Sequence, residues 1–163
     1  MAILNGKLTR DVLNGTSSSD KLYGNGGNDD LYGGRGKDEL YGGNGNDLLV
    51  GGSSPDLLYG GAGADTFRLV DHYDSKRWKN MYDEIKDFSR AEGDKIDLSV
   101  LDARLGTAGN QAFEFGAGSG DGKVWTERQG ADLFVNAKIQ NGTAIRIKLD
   151  DFSGQLTADD FIL

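Results

Sequence analysis

Between Gly6 and Arg68 a large apolar side chain recurs every nine residues, at Leu13, Leu22, Leu31, Leu40, Leu49, Leu58 and Phe67. That interval fits neither the 3.6-residue period of an amphipathic helix nor the alternation of one long strand. It fits a chain that makes a short strand, turns, and makes another, with one inward side chain per strand. The stretch divides without a gap into seven nonapeptides: GKLTRDVLN, GTSSSDKLY, GNGGNDDLY, GGRGKDELY, GGNGNDLLV, GGSSPDLLY and GGAGADTFR. Their first position is always glycine (Gly6, Gly15, Gly24, Gly33, Gly42, Gly51, Gly60). Their sixth is always aspartate (Asp11, Asp20, Asp29, Asp38, Asp47, Asp56, Asp65). Six glycine-rich residues suit a tight turn with positive φ angles, and the last three residues of each copy suit a strand. Two copies then make one coil, copies two apart stack, and the aspartates fall into two columns.

Beyond Arg68 the period stops. Alternation returns at Leu133, Val135, Ala137 and Ile139 and again at Ile145, Ile147 and Leu149, with Asn136, Lys138, Arg146 and Lys148 on the opposite face. Asn141-Gly142 between the two runs is a hairpin signal. Shorter strand candidates are Phe113 to Phe115 and Val124 to Thr126. The predicted fold is all-β: a right-handed parallel β-roll over residues 1–75, capped by a small C-terminal antiparallel β-sheet over residues 76–163. A cap is needed because an open coil exposes unpaired backbone groups and an apolar cross-section.

Composition narrows the chemistry. Glycine is abundant at 26 residues while proline occurs once, so the glycine is positional and not a mark of disorder. There is no cysteine to brace the fold, and His72 is the only histidine, which removes zinc-hydrolase motifs and disfavours a Ser-His-Asp triad. The formal charge of −8 argues against nucleic acid and for cations. Stacked position-six carboxylates about 4.8 Å apart repel by about 1 kcal/mol per pair in water and about 3–4 at an effective dielectric of 20. A divalent ion between them reverses that sign. No apolar stretch reaches the length of a membrane span, the N-terminus lacks the layout of a signal peptide, and a monomer is expected.

The repeat resembles the RTX nonapeptide G-G-x-G-x-D-x-U-x, which implies a roll filled by several Ca²⁺ ions. In that family the ligands are the position-six carboxylates, carbonyls two and four of one turn, and carbonyls one and three of the turn stacked on it. The resemblance implies that Asn25, Gly27 and Asp29 share an ion with Gly42, Asn44 and Asp47. Likewise Gly34, Gly36 and Asp38 would meet Gly51, Ser53 and Asp56, and Gly43, Gly45 and Asp47 would meet Gly60, Ala62 and Asp65. A fourth site pairs Thr16, Ser18 and Asp20 with Gly33, Arg35 and Asp38, weaker because Ser18 replaces a pattern glycine. The first nonapeptide reads as a cap in which Asp11 is a marginal ligand, and Ser54-Pro55 is expected to distort the sixth turn. Asp74, nine residues after Asp65, continues the series, and Asp83, Asp94 and Asp97 are further candidates.

Asp83 to Phe88, Gly93 to Ser99 and Leu156 to Leu163 resemble the C-terminal module that follows RTX repeats in serralysin-type metalloproteases and in the R-modules of mannuronan C5-epimerases, which act on alginate. The resemblance implies a non-catalytic, calcium-binding module of a secreted, extracellular enzyme. It also implies the type I secretion machinery as a partner, addressed by a tail ending in Phe161-Ile162-Leu163. A dedicated polysaccharide-binding R-module and a metalloprotease C-terminal module are the two alternatives. Lys76, Arg77, Trp78 and Lys79 form a basic and aromatic cluster suited to an anionic polysaccharide such as alginate. Lys123, Trp125, Arg128, Lys138, Arg146 and Lys148 add to it, although Trp125 at strand spacing is expected in the core. No nucleophile, base and pocket are gathered by any motif, so no enzyme activity is expected.

Overall fold

The computed structural model describes residues 1–70, 82–101, 113–116, 121–139 and 143–163. Asp74, the Lys76-Arg77-Trp78-Lys79 cluster, the division between residues 75 and 76, and the Asn141-Gly142 turn lie outside the described residues.

Strand β1 (Ile3–Asn5) precedes the first nonapeptide, and the seven copies then give one strand each: β2 (Val12–Asn14), β3 (Lys21–Gly26), β4 (Asp30–Arg35), β5 (Glu39–Asn44), β6 (Leu48–Ser53), β7 (Leu57–Ala62) and β8 (Thr66–Arg68). Odd strands form one parallel sheet and even strands the other. Position eight lies in register across each sheet: Leu22 beside Leu40 beside Leu58, and Leu31 beside Leu49 beside Phe67. These side chains are buried and form one core. One inward residue per strand suffices because each is covered by its neighbours above and below as well as by the opposite sheet.

The stacking does not end with the repeats. Strand β9 (Asp83–Ile85) pairs in parallel with β7 and sets Ile85 beside Leu58, while β10 (Lys95–Asp97) pairs with β8 and sets Ile96 beside Phe67. Four further strands follow: β11 (Glu114–Phe115), β12 (Lys123–Gln129), β13 (Asp132–Ile139) and β14 (Thr143–Leu149). Strands β12, β13 and β14 are antiparallel, whereas β11 joins β12 in parallel. The antiparallel strands attach by their edge, β14 to β9, with Leu149 beside Ile85, so they prolong one wall of the roll into a nine-stranded sheet. Strand β15 (Phe161–Ile162) pairs with β10, places Phe161 beside Ile96, and completes a six-stranded sheet. Continuing the hydrogen-bonded ladder satisfies the backbone groups that a plug laid across the roll would leave unpaired.

Ion pairs tie the strands beyond the repeats to one another. Lys148 on β14 lies 2.7 Å from Asp150, 3.2 Å from Asp132 and 3.5 Å from Glu84 of β9. Its hydrogen bond, with that from Lys86, holds the Asp150 carboxyl down at about 2. Near the C-terminus Arg90 reaches Asp160 at 2.6 Å, and a single 3-10 turn (Ala158–Asp160) leads into β15.

The core predicts a gradient of sensitivity. Leu40→Ala, at a fully buried position, should destabilise the calcium-loaded chain by about 2–5 kcal/mol in urea denaturation. Leu13→Ala, in the half-buried outermost coil, should cost less.

Candidate metal centre

The turns line the two edges of the roll. Those of copies one, three, five and seven share one edge, and those of copies two, four and six share the other, because each strand crosses between edges. On the first edge the backbone N–H of Asp11 donates to Asp29 Oδ1, Asp29 to Asp47, Asp47 to Asp65, and Asp65 to Asp94, at 2.7–2.9 Å. On the second edge Ala2 donates to Asp20, Asp20 to Asp38, Asp38 to Asp56, and Asp56 to Asp83. Every rung uses one carboxylate oxygen and fixes the direction of the other.

That second oxygen is the chemical feature of the site. Oδ2 of Asp29, Asp38, Asp47 and Asp65 is buried and accepts no hydrogen bond. A buried, unpartnered carboxylate oxygen costs several kcal/mol unless a cation meets it. The space around it is kept open by glycine: a Cβ on Gly33 would lie 2.6 Å from Asp38 Oδ2 and 2.5 Å from the Gly51 carbonyl. Gly43, at φ 111°, brings its backbone against the carbonyl of Asn25 in the turn below. Orphaned oxygens, close carbonyls and absent side chains together fit a hard divalent cation with oxygen ligands. Among the described residues no three acidic or imidazole side chains are grouped so as to hold a metal ion by themselves, and the donors at hand beside the aspartates are the backbone carbonyls of the turns.

The ends of the columns differ from the middle. Asp20 Oδ2 accepts from the Thr16 N–H at 2.7 Å and the Thr16 hydroxyl at 2.6 Å, and Asp11 Oδ2 accepts from the Lys7 N–H at 2.6 Å. Both are satisfied without a metal. The sixth turn, expected to be distorted, is regular: Ser54 takes φ 84°, the left-handed conformation that glycine adopts at the same position in Gly27, Gly36 and Gly45. Its strand keeps register, with Gly34 beside Gly52 and Arg35 beside Ser53. Proline at position five is tolerated because that residue's N–H carries no ladder bond; in Asn46 and Ala64 it donates only to a side chain, the amide of Asn28 or Asn46.

Four outcomes lay beyond the repeat arithmetic. The rung that a strict period gives to Asp74 is held by Asp83, 27 residues after Asp56, because the connection from β8 to β9 is longer than a repeat. Asp94 heads the other column, with its Oδ2 accepting from Ser89 at 2.8 Å. Asp97, the third extra candidate, is turned away: Arg68 binds it at 2.6 Å and Ser99 at 2.6 Å, so it belongs to an ion pair and not to a column. Asn28 and Asn46, which sequence reasoning passed over, add an amide ladder beside the first column. Their recurrence at position five of alternate copies was the available signal.

Residues 29–163 match the C-terminal region of the serralysins, M10 peptidases, and residues 5–40 match the RTX calcium-binding nonapeptide repeat in four copies. The chain belongs to the serralysin C-terminal family. Its repeats are calcium-binding RTX repeats, and Ca²⁺ is their cofactor. Among solved structures, the AlgE6R2 subunit of the Azotobacter vinelandii mannuronan C5-epimerase is 26% identical, over 96% of this chain and 92% of that one, with a TM-score of 0.54. The AlgE6R3 subunit of the same enzyme is 30% identical, over 98% and 78%, with a TM-score of 0.49. A comparison with curated protein sequences finds no match. No helix among the described residues is long and apolar enough to cross a membrane.

In this serralysin-type module the columns are electrostatically loaded. Burial pushes the Asp38 carboxyl up to about 6 and Asp65 up to about 7, and raises Asp29 and Asp47 as well. Asp94 rises to about 6 for the same reason. Asp20 moves the other way, held down by its hydrogen bond from Thr16.

Carboxyls raised in the folded state stabilise it when protonated, and that contribution disappears as pH climbs through about 6 to 7. In chelator, the β signal in circular dichroism should therefore be stronger at pH 5 than at pH 8. With calcium the order should invert, because protons compete for the same oxygens. Gly43→Ala should lower the melting point even in saturating calcium, since alanine is strained at φ 111° and would strike the Asn25 carbonyl.

Proposed function

We propose that the chain is a non-catalytic module that folds when a secreted protein meets extracellular calcium. The carrying observation is the set of buried, unpartnered oxygens on Asp29, Asp38, Asp47 and Asp65. The ion sites are Asn25, Gly27 and Asp29 with Gly42, Asn44 and Asp47; Gly34, Gly36 and Asp38 with Gly51, Ser53 and Asp56; and Gly43, Gly45 and Asp47 with Gly60, Ala62 and Asp65. Asp20 and Asp11 contribute least, because protein donors already hold them. Extracellular calcium modules bind with dissociation constants of about 10⁻⁴–10⁻³ M, so cytosolic calcium leaves such sites empty.

The same switch serves export. Phe161 of the C-terminal tail is buried beside Ile96 once the roll is folded, so a type I secretion machine reads that tail in the calcium-free chain. A second reading, binding of an anionic polysaccharide such as alginate, is favoured by the 26% identity to AlgE6R2 over 96% of this chain.

Calcium titration followed by circular dichroism should show a cooperative gain of β structure, reversed by chelator; a chelated chain that keeps its full signal and melting point would refute the calcium switch. Asp47→Asn should raise the calcium midpoint at least about tenfold more than Asp20→Asn, since Asp47 serves two sites and Asp20 is held by Thr16. Equal shifts would overturn the ligand assignment. Retardation in alginate-containing gels with calcium tests the second reading, and mobility equal to that in plain gels removes it.

A further inference from the structure

The basic residues of the C-terminal sheet are mostly neutralised within the protein. Lys148 has three carboxylate partners, Lys123 pairs with Glu114, Lys138 lies 3.4 Å from Asp121, and Arg128 donates to the carbonyls of Phe152 and Gly154. Arg146 also has an ion-pair partner, Glu127, but that pairing leaves hydrogen-bond donors unused. Its Nε and Nη2 are buried and donate no hydrogen bond, and neither does Nδ2 of Asn136, a residue only 7% exposed. The nearest carboxylate, Glu127, stays 3.5 Å from Nη2 and is half-exposed.

These donors share a row. Asn136 on β13 pairs directly with Arg146 on β14 and with Trp125 on β12, so the three side chains stand together on the outward face. Trp125 was expected in the core; it is half-buried on that face because Val124 and not Trp125 points inward. The guanidinium is held in place by stacking 3.8 Å over the Phe134 ring, which fixes the direction of its unused N–H groups. A guanidinium edge beside an amide N–H matches the two oxygens of a carboxylate, and buried donors left unpaired are costly. The indole alongside suits the apolar C–H face of a sugar ring.

We infer that Arg146 and Asn136 form a carboxylate-binding subsite for one uronate unit of an acidic polysaccharide, with Trp125 against the sugar ring. Glu127 is the internal competitor that the incoming carboxylate displaces. The inference rests on the polysaccharide reading above and names the residues of that activity.

The test is affinity electrophoresis of the full chain, with calcium, in gels containing alginate or neutral dextran. Arg146→Gln and Asn136→Ala, each checked for an unchanged calcium-induced circular dichroism signal, should weaken retention in alginate about tenfold. Glu127→Gln should strengthen it severalfold, and dextran should not retard any form. Folded variants retained like the unmodified chain would overturn the subsite while leaving the polysaccharide reading intact. An unmodified chain that alginate does not retard would overturn both. Equal retention in dextran would overturn carboxylate recognition. Should Arg146→Gln fail to fold, Glu127→Gln on its exposed side chain decides: tighter binding supports the subsite, and no change overturns it.

Discussion

The fold depends on like charges held in line. From Asp29 to Asp65 each position-six aspartate uses one oxygen to accept the backbone N–H of the aspartate beneath it, and this rung directs the second oxygen into the gap between stacked turns. At Asp29, Asp38, Asp47 and Asp65 that second oxygen accepts no hydrogen bond. Burial raises the carboxyls, and stacking sets each against its neighbour. Such columns are unstable alone and become the main source of cohesion when a divalent ion lies between them. Within the repeats one inward side chain per nonapeptide makes a thin core, and the calcium that RTX repeats bind adds cohesion to it.

The C-terminal region meets a different need, since its strands are regular and its core is apolar. Ile85, Ile96, Leu149 and Phe161 continue the two position-eight columns beyond the last repeat, so apolar stacking runs unbroken from the repeats into the region that follows them. Asp83 and Asp94 do the same for the carboxylate columns. The region thus supplies a ready edge of correct register on both sheets; the Arg68–Asp97 ion pair crosses the junction, and the Lys148 network fastens β14 to β9.

Surface charge changes meaning once partners are visible. Lys86, Lys123, Lys138 and Lys148 all lie within ion-pair distance of carboxylates, so their abundance carries little information about an external anion. The aromatic residues divide similarly. Tyr23, Tyr41 and Tyr59 stack on one another at 4.9 and 4.6 Å, which uses their ring faces for the roll itself. Trp125 has no such stack among the described residues and stands in the one row with unused donors.

The sequence by itself determined whatever repeats: the nine-residue strand and turn, the inward leucine, the aspartate columns and their demand for a divalent cation, which the RTX resemblance names as calcium, and the two antiparallel runs around Val135 and Ile147. A local rule read seven times is legible without neighbours. Tertiary structure alone decided what depends on which side chain faces which. Thr16 closes Asp20 while Asp47 stays open; Ser54 accepts a glycine conformation; Asp83 takes the rung that the period assigns to Asp74; Asp97 leaves the column for Arg68; and Arg146, alone among those basic residues, keeps buried donors with no acceptor. The Asp83 and Asp97 outcomes turn on hydrogen bonds between segments 27 and 29 residues apart, and the others on which donor or conformation the packing leaves available, so no repeat rule encodes them.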